Sequence, residues 1–196
     1  ELLILIDDDE PEKVKYQQII NENIFKDINI KIFINKFTTN AERHNFLASN
    51  SSSNLFMPVN DDMSFVTKFW DRMIDLEFSK IGDQPYCLWI NNNQKYKYLH
   101  CDFPIVNLSW YKKLGYIGSS IFNFWYLDTW ICDLSLKSKK FLVSPKIEVF
   151  QYSANTFEKE VDNTHLKNIK DGVPEKDYQI WIDSEDKRKK DSKLLI

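Results

Sequence analysis

The sharpest constraint in this sequence is a uniformly apolar run, Leu2-Leu3-Ile4-Leu5-Ile6, that stops at three consecutive aspartates, Asp7, Asp8 and Asp9. Large aliphatic residues without a polar face suit a strand covered on both sides. The carboxylates cannot follow them into that interior, because ionised groups are strongly disfavoured in a low dielectric. The chain must turn outward there. The same pattern recurs at residues 55–59, another apolar run, which ends in Asn60, Asp61 and Asp62.

Between the two runs, Tyr16, Ile19, Ile20 and Ile24 fall at helical spacing, with Pro11 at a permitted first-turn position. A second strand is expected over residues 28–34, a helix over 40–48, and an Asn/Ser stretch at 50–54 reads as a loop. Strand, helix, strand, helix, strand predicts right-handed crossovers, hence an α/β fold with a mostly parallel central sheet flanked by helices. Open sheets of that kind bind ligands beyond the carboxyl ends of their strands. The two acidic clusters are therefore expected to converge on one edge.

Farther along, Trp70, Met73, Ile74 and Phe78 predict a helix over 69–81. Short strands are expected at 86–90, 103–106 and 147–150, with helices at 109–114 and 128–137. Asp128 opens the last of these, where a carboxylate suits an N-cap or the positive end of the helix dipole. The tail mixes Tyr178, Trp181 and Ile182 with a dense charged run from Asp183 to Lys193, expected as a solvated helix. One domain follows from this: residues 1–62 as a first half, 63–165 as a mixed α+β half, and 166–196 as a helical tail.

Composition narrows the function classes. A chain of 196 residues fits a single domain. Lys+Arg 26 against Asp+Glu 29 leaves a net charge of -3, without the basic surface a nucleic-acid binder needs. Only 4 glycines are present, and neither GxGxxG nor GxxxxGK[ST] occurs, which argues against nicotinamide dehydrogenases and P-loop kinases. No apolar stretch approaches the roughly 20 residues that cross a bilayer, and no leader is evident, so a cytoplasmic protein is expected. Cys87, Cys101 and Cys132 are odd in number and scattered, as reduced, buried thiols would be. His100 beside Cys101 lacks the CxxC or HxxxH partner of a zinc site.

Neighbouring carboxylates at a strand end oppose each other's ionisation. A hard divalent cation, Mg²⁺, Mn²⁺ or Ca²⁺, relieves that repulsion, one or two carboxylates and a ligand's phosphates completing its shell. Turn and helix caps use the same residues, so spacing alone leaves both readings open.

In order, Asp7-Asp8-Asp9-Glu10-Pro11 after a strand, Asn60-Asp61-Asp62 followed by Trp70-Asp71, then Pro104-Ile105-Val106, Trp110-Tyr111, Leu114-Gly115-Tyr116 and Leu127-Asp128-Thr129-Trp130 resemble the small GT-A-fold glycosyltransferases of the nucleotide-diphospho-sugar transferase superfamily, over about residues 1–165. The resemblance implies a nucleotide-sugar donor, a glycan or other hydroxyl acceptor, and Mn²⁺ or Mg²⁺ at the diphosphate. It places Asp7, Asp8 and Asp9 by the nucleoside and Asn45 on the donor side. Asn60, Asp61 and Asp62 look like the family's DxD-type element, with Asp61 and Asp62 as metal ligands. Asp128 resembles the base that deprotonates the acceptor, and Trp110 and Trp130 would line the acceptor side. Relatives carry a histidine metal ligand after the strand matching 147–150, where Gln151 and Tyr152 stand here, which leaves His165 as the candidate replacement. They also place a further strand ahead of the one matching residues 2–6. Two other readings share these residues: a sugar-nucleotide or glycan-binding domain without turnover, and an interaction module with a structural cation site.

Overall fold

The computed structural model describes residues 1–21, 27–60, 62–92, 101–152 and 163–196, without the side chains of 19–21 and 163–165. The opening run forms β1 (Leu2–Ile6), followed by α1 (Lys13–Asn21) and β2 (Ile30–Ile34). β1 and β2 pair in parallel, from Leu2↔Ile30 to Ile6↔Ile34. α2 (Asn40–Ser49) starts in a reciprocal cap: the Glu42 amide donates to the Thr39 hydroxyl at 3.2 Å and the Thr39 amide to the Glu42 carboxylate at 3.0 Å. That arrangement satisfies two of the amides that a helix start leaves unpaired.

A second sheet contains β3 (Leu55–Phe56), β4 (Met63–Phe65), β5 (Cys87–Asn92), β6 (Ile105–Asn107) and β7 (Phe141–Gln151), in the order β3-β6-β5-β7-β4. The protein is α/β, but the expectation of one mostly parallel sheet is corrected. This sheet is mixed: β5/β7 is a parallel pair, and β3/β6, β5/β6 and β4/β7 are antiparallel. The run at 55–59 gives only two strand residues and joins β6 rather than β1. Pro58 explains the early stop, since it has no N–H to extend a ladder.

β5 shows why the layers form. Cys87 and Trp89 join one buried cluster while Leu88 and Ile90 join the other, the alternation of a strand covered on both faces. α3 (Trp70–Ser79) covers one face with Ile74 and Phe78. α4 (Leu108–Leu114) and α5 (Leu127–Ser138) cover the other with Trp110, Trp130, Ile131 and Leu134. The chain ends in α6 (Asn163–Lys170), α7 (Val173–Asp183) and α8 (Glu185–Leu194). The charged tail is not simply solvated: α8 buries Arg188, Asp191 and Ser192. Arg188 reaches Asp133 of α5, Nε to Oδ2 at 2.9 Å, and its guanidinium lies 3.7 Å from the centre of the Trp181 ring. No described helix is long and apolar enough to cross a membrane.

Strand directions place the candidate residues. β3, β5 and β7 run the same way, and β6 and β4 run against them. β3 and β4 close opposite edges of the sheet. Phe56 faces Val106, which faces Cys87 at the start of β5, whereas Met63 faces Gln151, two residues past the Val149 that faces Asn92 at the end of β5. The chain therefore leaves β3 level with the amino end of β5 and enters β4 level with the carboxyl end of β7.

Candidate functional site

At the carboxyl end of β1, each aspartate meets a cation. Asp7 Oδ2 lies 2.9 Å from Arg43 in the first turn of α2, and Asp9 lies 3.6 Å from Lys36. The Lys13 ammonium donates to the Asp8 carbonyl at 2.5 Å. Asp8 and Asp9 are exposed, whereas Asp7 Oδ1 is buried with no hydrogen-bond partner among the described residues.

On the link between β3 and β4, Asn60 is exposed and Asp61 lies outside the described residues. The Asp62 carbonyl accepts the Tyr152 amide at 2.7 Å, and its Oδ1, like that of Asp7, is buried without a partner among the described residues. A buried, unpaired carboxylate oxygen is uncommon and asks for a cause such as an ion or a ligand. Hard anionic oxygens at Asp7 and Asp62 fit Mg²⁺ or Mn²⁺ in donor type. Among the described residues, no three His, Cys, Asp or Glu side chains gather around one point that a metal ion could occupy. His165 falls on α6, and its side chain is outside the description.

Asp128 stands in the first turn of α5, its Oδ1 accepting the Thr129 amide at 2.7 Å and the Thr129 hydroxyl at 3.3 Å. α5 crosses back toward the start of β7, so its amino end lies at the carboxyl edge of the sheet. Internal contacts agree. Ser135 meets the Trp89 indole in mid-β5 at 3.2 Å, and Cys132, nearer the helix start, reaches the Cys101 carbonyl at 3.4 Å just before β6 begins.

The structure revises the expectations for Trp110, Trp130 and Asn45 and agrees with the one for the cysteines, which are free and buried. Trp110 and Trp130 are both 0% exposed, packed under α4 and α5, so neither ring offers a face to an acceptor. Asn45 is committed to the backbone: its side chain accepts from the Ile117 amide at 2.8 Å and donates to the Gly118 carbonyl at 2.8 Å, locking α2 to that loop. Burial pushes the Cys87 thiol up, and contact with Cys101 followed by burial does so for Cys132, so both remain neutral thiols in the core.

β5 adds residues that sequence reasoning missed. Asn91, with its Oδ1 unpaired among the described residues, and Asn92, whose amide donates to Asp102, end this strand at the same edge. The signal was available, since here too an apolar run gives way abruptly to polar residues.

Two depressions flank this arrangement. A cleft of about 120 Å³ runs between β1 and residues 55–59, lined among others by Leu3, His44, Leu55 and Val59. At its head, Glu1 accepts from Ser51 Oγ at 2.6 Å and the Ser52 amide at 2.7 Å, and pairs with Lys31 at 3.0 Å. The Ser51 hydroxyl first, then Lys31 and the Ser52 amide, hold the Glu1 carboxyl well below the usual range. β1 and the 55–59 segment thus leave a common anchor. The larger depression, about 380 Å³, lies at the opposite end of the sheet, with Asn54, Asp83, Asn107 and Lys112 in its lining, and holds none of the candidate residues. No protein-family model matches the chain, no curated protein matches it, and no solved structure matches it.

Proposed function

We propose that this chain is a metal-assisted glycosyltransferase of GT-A type, moving a sugar from a nucleoside-diphosphate donor to an acceptor hydroxyl such as that of a glycan, in the cytoplasm. One observation carries the reading. Asp7, at the carboxyl end of β1, and Asp62, whose carbonyl accepts the Tyr152 amide at the carboxyl end of β7, each keep a buried carboxylate oxygen with no hydrogen-bond partner among the described residues.

Asp62 and Asp61, with Asn60 beside them, would hold Mn²⁺ or Mg²⁺. Bound there, the cation would offset the charge that gathers on the departing diphosphate. Arg43, Lys36 and Lys13 around the Asp7–Asp9 turn keep that acidic segment from repelling the donor. Asp128 takes the proton of the acceptor hydroxyl as its oxygen bonds to the anomeric carbon and the bond from that carbon to the diphosphate breaks. Thr129 fixes the carboxylate for that transfer.

Thermal unfolding with Mn²⁺ and with UDP-, GDP- and dTDP-sugars tests the reading. Cation and nucleotide together are expected to raise the midpoint by more than the sum of their separate effects. Asp128→Asn is expected to cut transfer by about 100-fold or more while donor binding persists. Independent, additive effects of cation and nucleotide would overturn donor binding at this edge. Cooperative binding without turnover would leave a sugar-nucleotide-binding domain.

A further inference from the structure

Asp177 lies in the middle of α7, is 0% exposed, and accepts four hydrogen bonds from a single turn. Its Oδ1 takes the Asn123 amide at 2.8 Å and the Asn123 side chain at 2.7 Å. Its Oδ2 takes the Phe124 amide at 2.9 Å and the Trp125 amide at 3.0 Å. Three successive backbone N–H groups converging on one anion form a nest, a concavity that proteins commonly use for phosphates or other external anions. Here the anion comes from the chain's own C-terminal region.

The turn leads directly into α5. Tyr126 follows it in the left-handed region, φ 71 and ψ 10, an uncommon conformation for a bulky residue, and Asp128 is two residues on. One turn beyond Asp177, Trp181 stacks on the Tyr126 ring at 5.4 Å and 22°, and Arg188 covers the Trp181 ring. Helix α7 therefore grips this turn twice, by charge at 123–125 and by ring packing at 126. Such over-determination is what holds an unfavourable backbone conformation in place.

We propose that Asp177 is a positioning residue: it holds the 123–126 turn, and so sets the direction in which α5 starts and presents Asp128. The inference rests on the transferase reading only in naming Asp128 as the base. Asp177→Asn keeps the size of the side chain but replaces an acceptor oxygen with a donor, so one face of the nest meets N–H against N–H.

The test uses the full chain, wild type and Asp177→Asn, followed by amide exchange and by carboxyl-carbon NMR of labelled aspartate. Exchange at the amides facing the new NH2 group, that of Asn123 or those of Phe124 and Trp125, is expected to rise at least tenfold, with β5 and β7 still protected, and the Asp128 carboxyl resonance to move while that of Asp62 stays. If all three amides keep their protection, or if any loses it and the Asp128 resonance stays, the inference is overturned. Where the chain transfers sugar, kcat should fall at least tenfold at unchanged donor KM; an equal rise in KM with kcat kept would also overturn it. A wild-type chain that transfers nothing defeats the proposed function, and the resonance measurement still decides the role of Asp177.

Discussion

Two groups of carboxylates divide this molecule. In the helical layer, Asp177 has four N–H donors, Asp191 takes the Tyr116 hydroxyl and Lys187, and Asp133 is ion-paired with Lys137 and Arg188, although its Oδ2 too accepts no hydrogen bond among the described residues. At the carboxyl edge of the strands, Asp7 and Asp62 keep a buried oxygen with no partner among the described residues, and Asp8 and Asp9 face solvent. The residue type is the same, so the difference lies in what surrounds it. A carboxylate whose acceptor sites are filled by its own chain stabilises structure, and one that keeps an empty site can take a ligand only at some cost to stability. The helical layer even raises Tyr116 well above the usual phenol range, by burial first and by the Asp191 carboxylate next, which fixes it as a donor.

The largest effect should fall on the filled group. Asp177→Ala strands three backbone N–H groups and an amide side chain in a site closed to water. At about 1 to 3 kcal/mol per unpaired group, partly relieved by relaxation, the loss should be about 3 to 5 kcal/mol. It would be read as a lower urea midpoint at unchanged m. A loss below about 1 kcal/mol would break the division, because Asp177 would then be no better satisfied than the edge aspartates.

How far this division could be read from the sequence differs between its halves. The edge was legible in part. The apolar run that stops at Asp7 marks the end of β1, and Asp128 stands in the first turn of a helix as its pattern predicts, but the run before Asn60 ends as a strand already at Phe56 and belongs to a separate sheet from β1. Short and interrupted strands were not. β4 has three residues and no useful alternation, and only the later part of β7 was read as strand. Pro145 hides the first part; it falls at the irregularity where the β7 partner shifts from Ser144 opposite Ile90 to Glu148 opposite Asn91. A residue without an N–H is tolerated at such a bulge. Asp177 could not be read at all, because its partners are mainly backbone amides from a distant turn, which leave no trace in side-chain pattern. Trp110 and Trp130 misled for the opposite reason: an aromatic ring fits a core and a sugar-binding face equally well, and only packing decides.

A smaller effect tests the cleft beside β1. His44 on α2 contacts the Asn40 carbonyl through Nδ1 at 3.0 Å, and burial pushes its imidazole below the usual value. Above the ordinary imidazole range the ring is neutral in both states and costs nothing. Below it the unfolded chain takes up a proton that the native chain refuses, so stability falls with pH until the depressed native value is reached. The slope cannot exceed about 1.4 kcal/mol per pH unit. Urea titrations between about pH 7.5 and 5.5, a window around the ordinary imidazole value, should show that slope in the wild type and lose it in His44→Gln. An equal pH dependence in both would mean that His44 does not govern the acid side.

The smallest effect on stability should come from Asp62→Asn, and it discriminates best. The substitution keeps the shape and removes a charge whose Oδ1 is already buried without a partner. Losing that charge relieves desolvation, so the free chain should change by no more than about 0.5 kcal/mol and in the stabilising direction. Ligand-linked stability should respond in the opposite sense. For a wild type saturated about 100-fold above Kd by Mn²⁺ and nucleotide, the gain is about 2.7 kcal/mol, and most of it should disappear in Asp62→Asn. A variant that is destabilised by several kcal/mol without ligand would place Asp62 with Asp177, as a carboxylate filled by its own fold. A variant that keeps the full ligand-linked gain would move the cation away from the 57–62 link altogether.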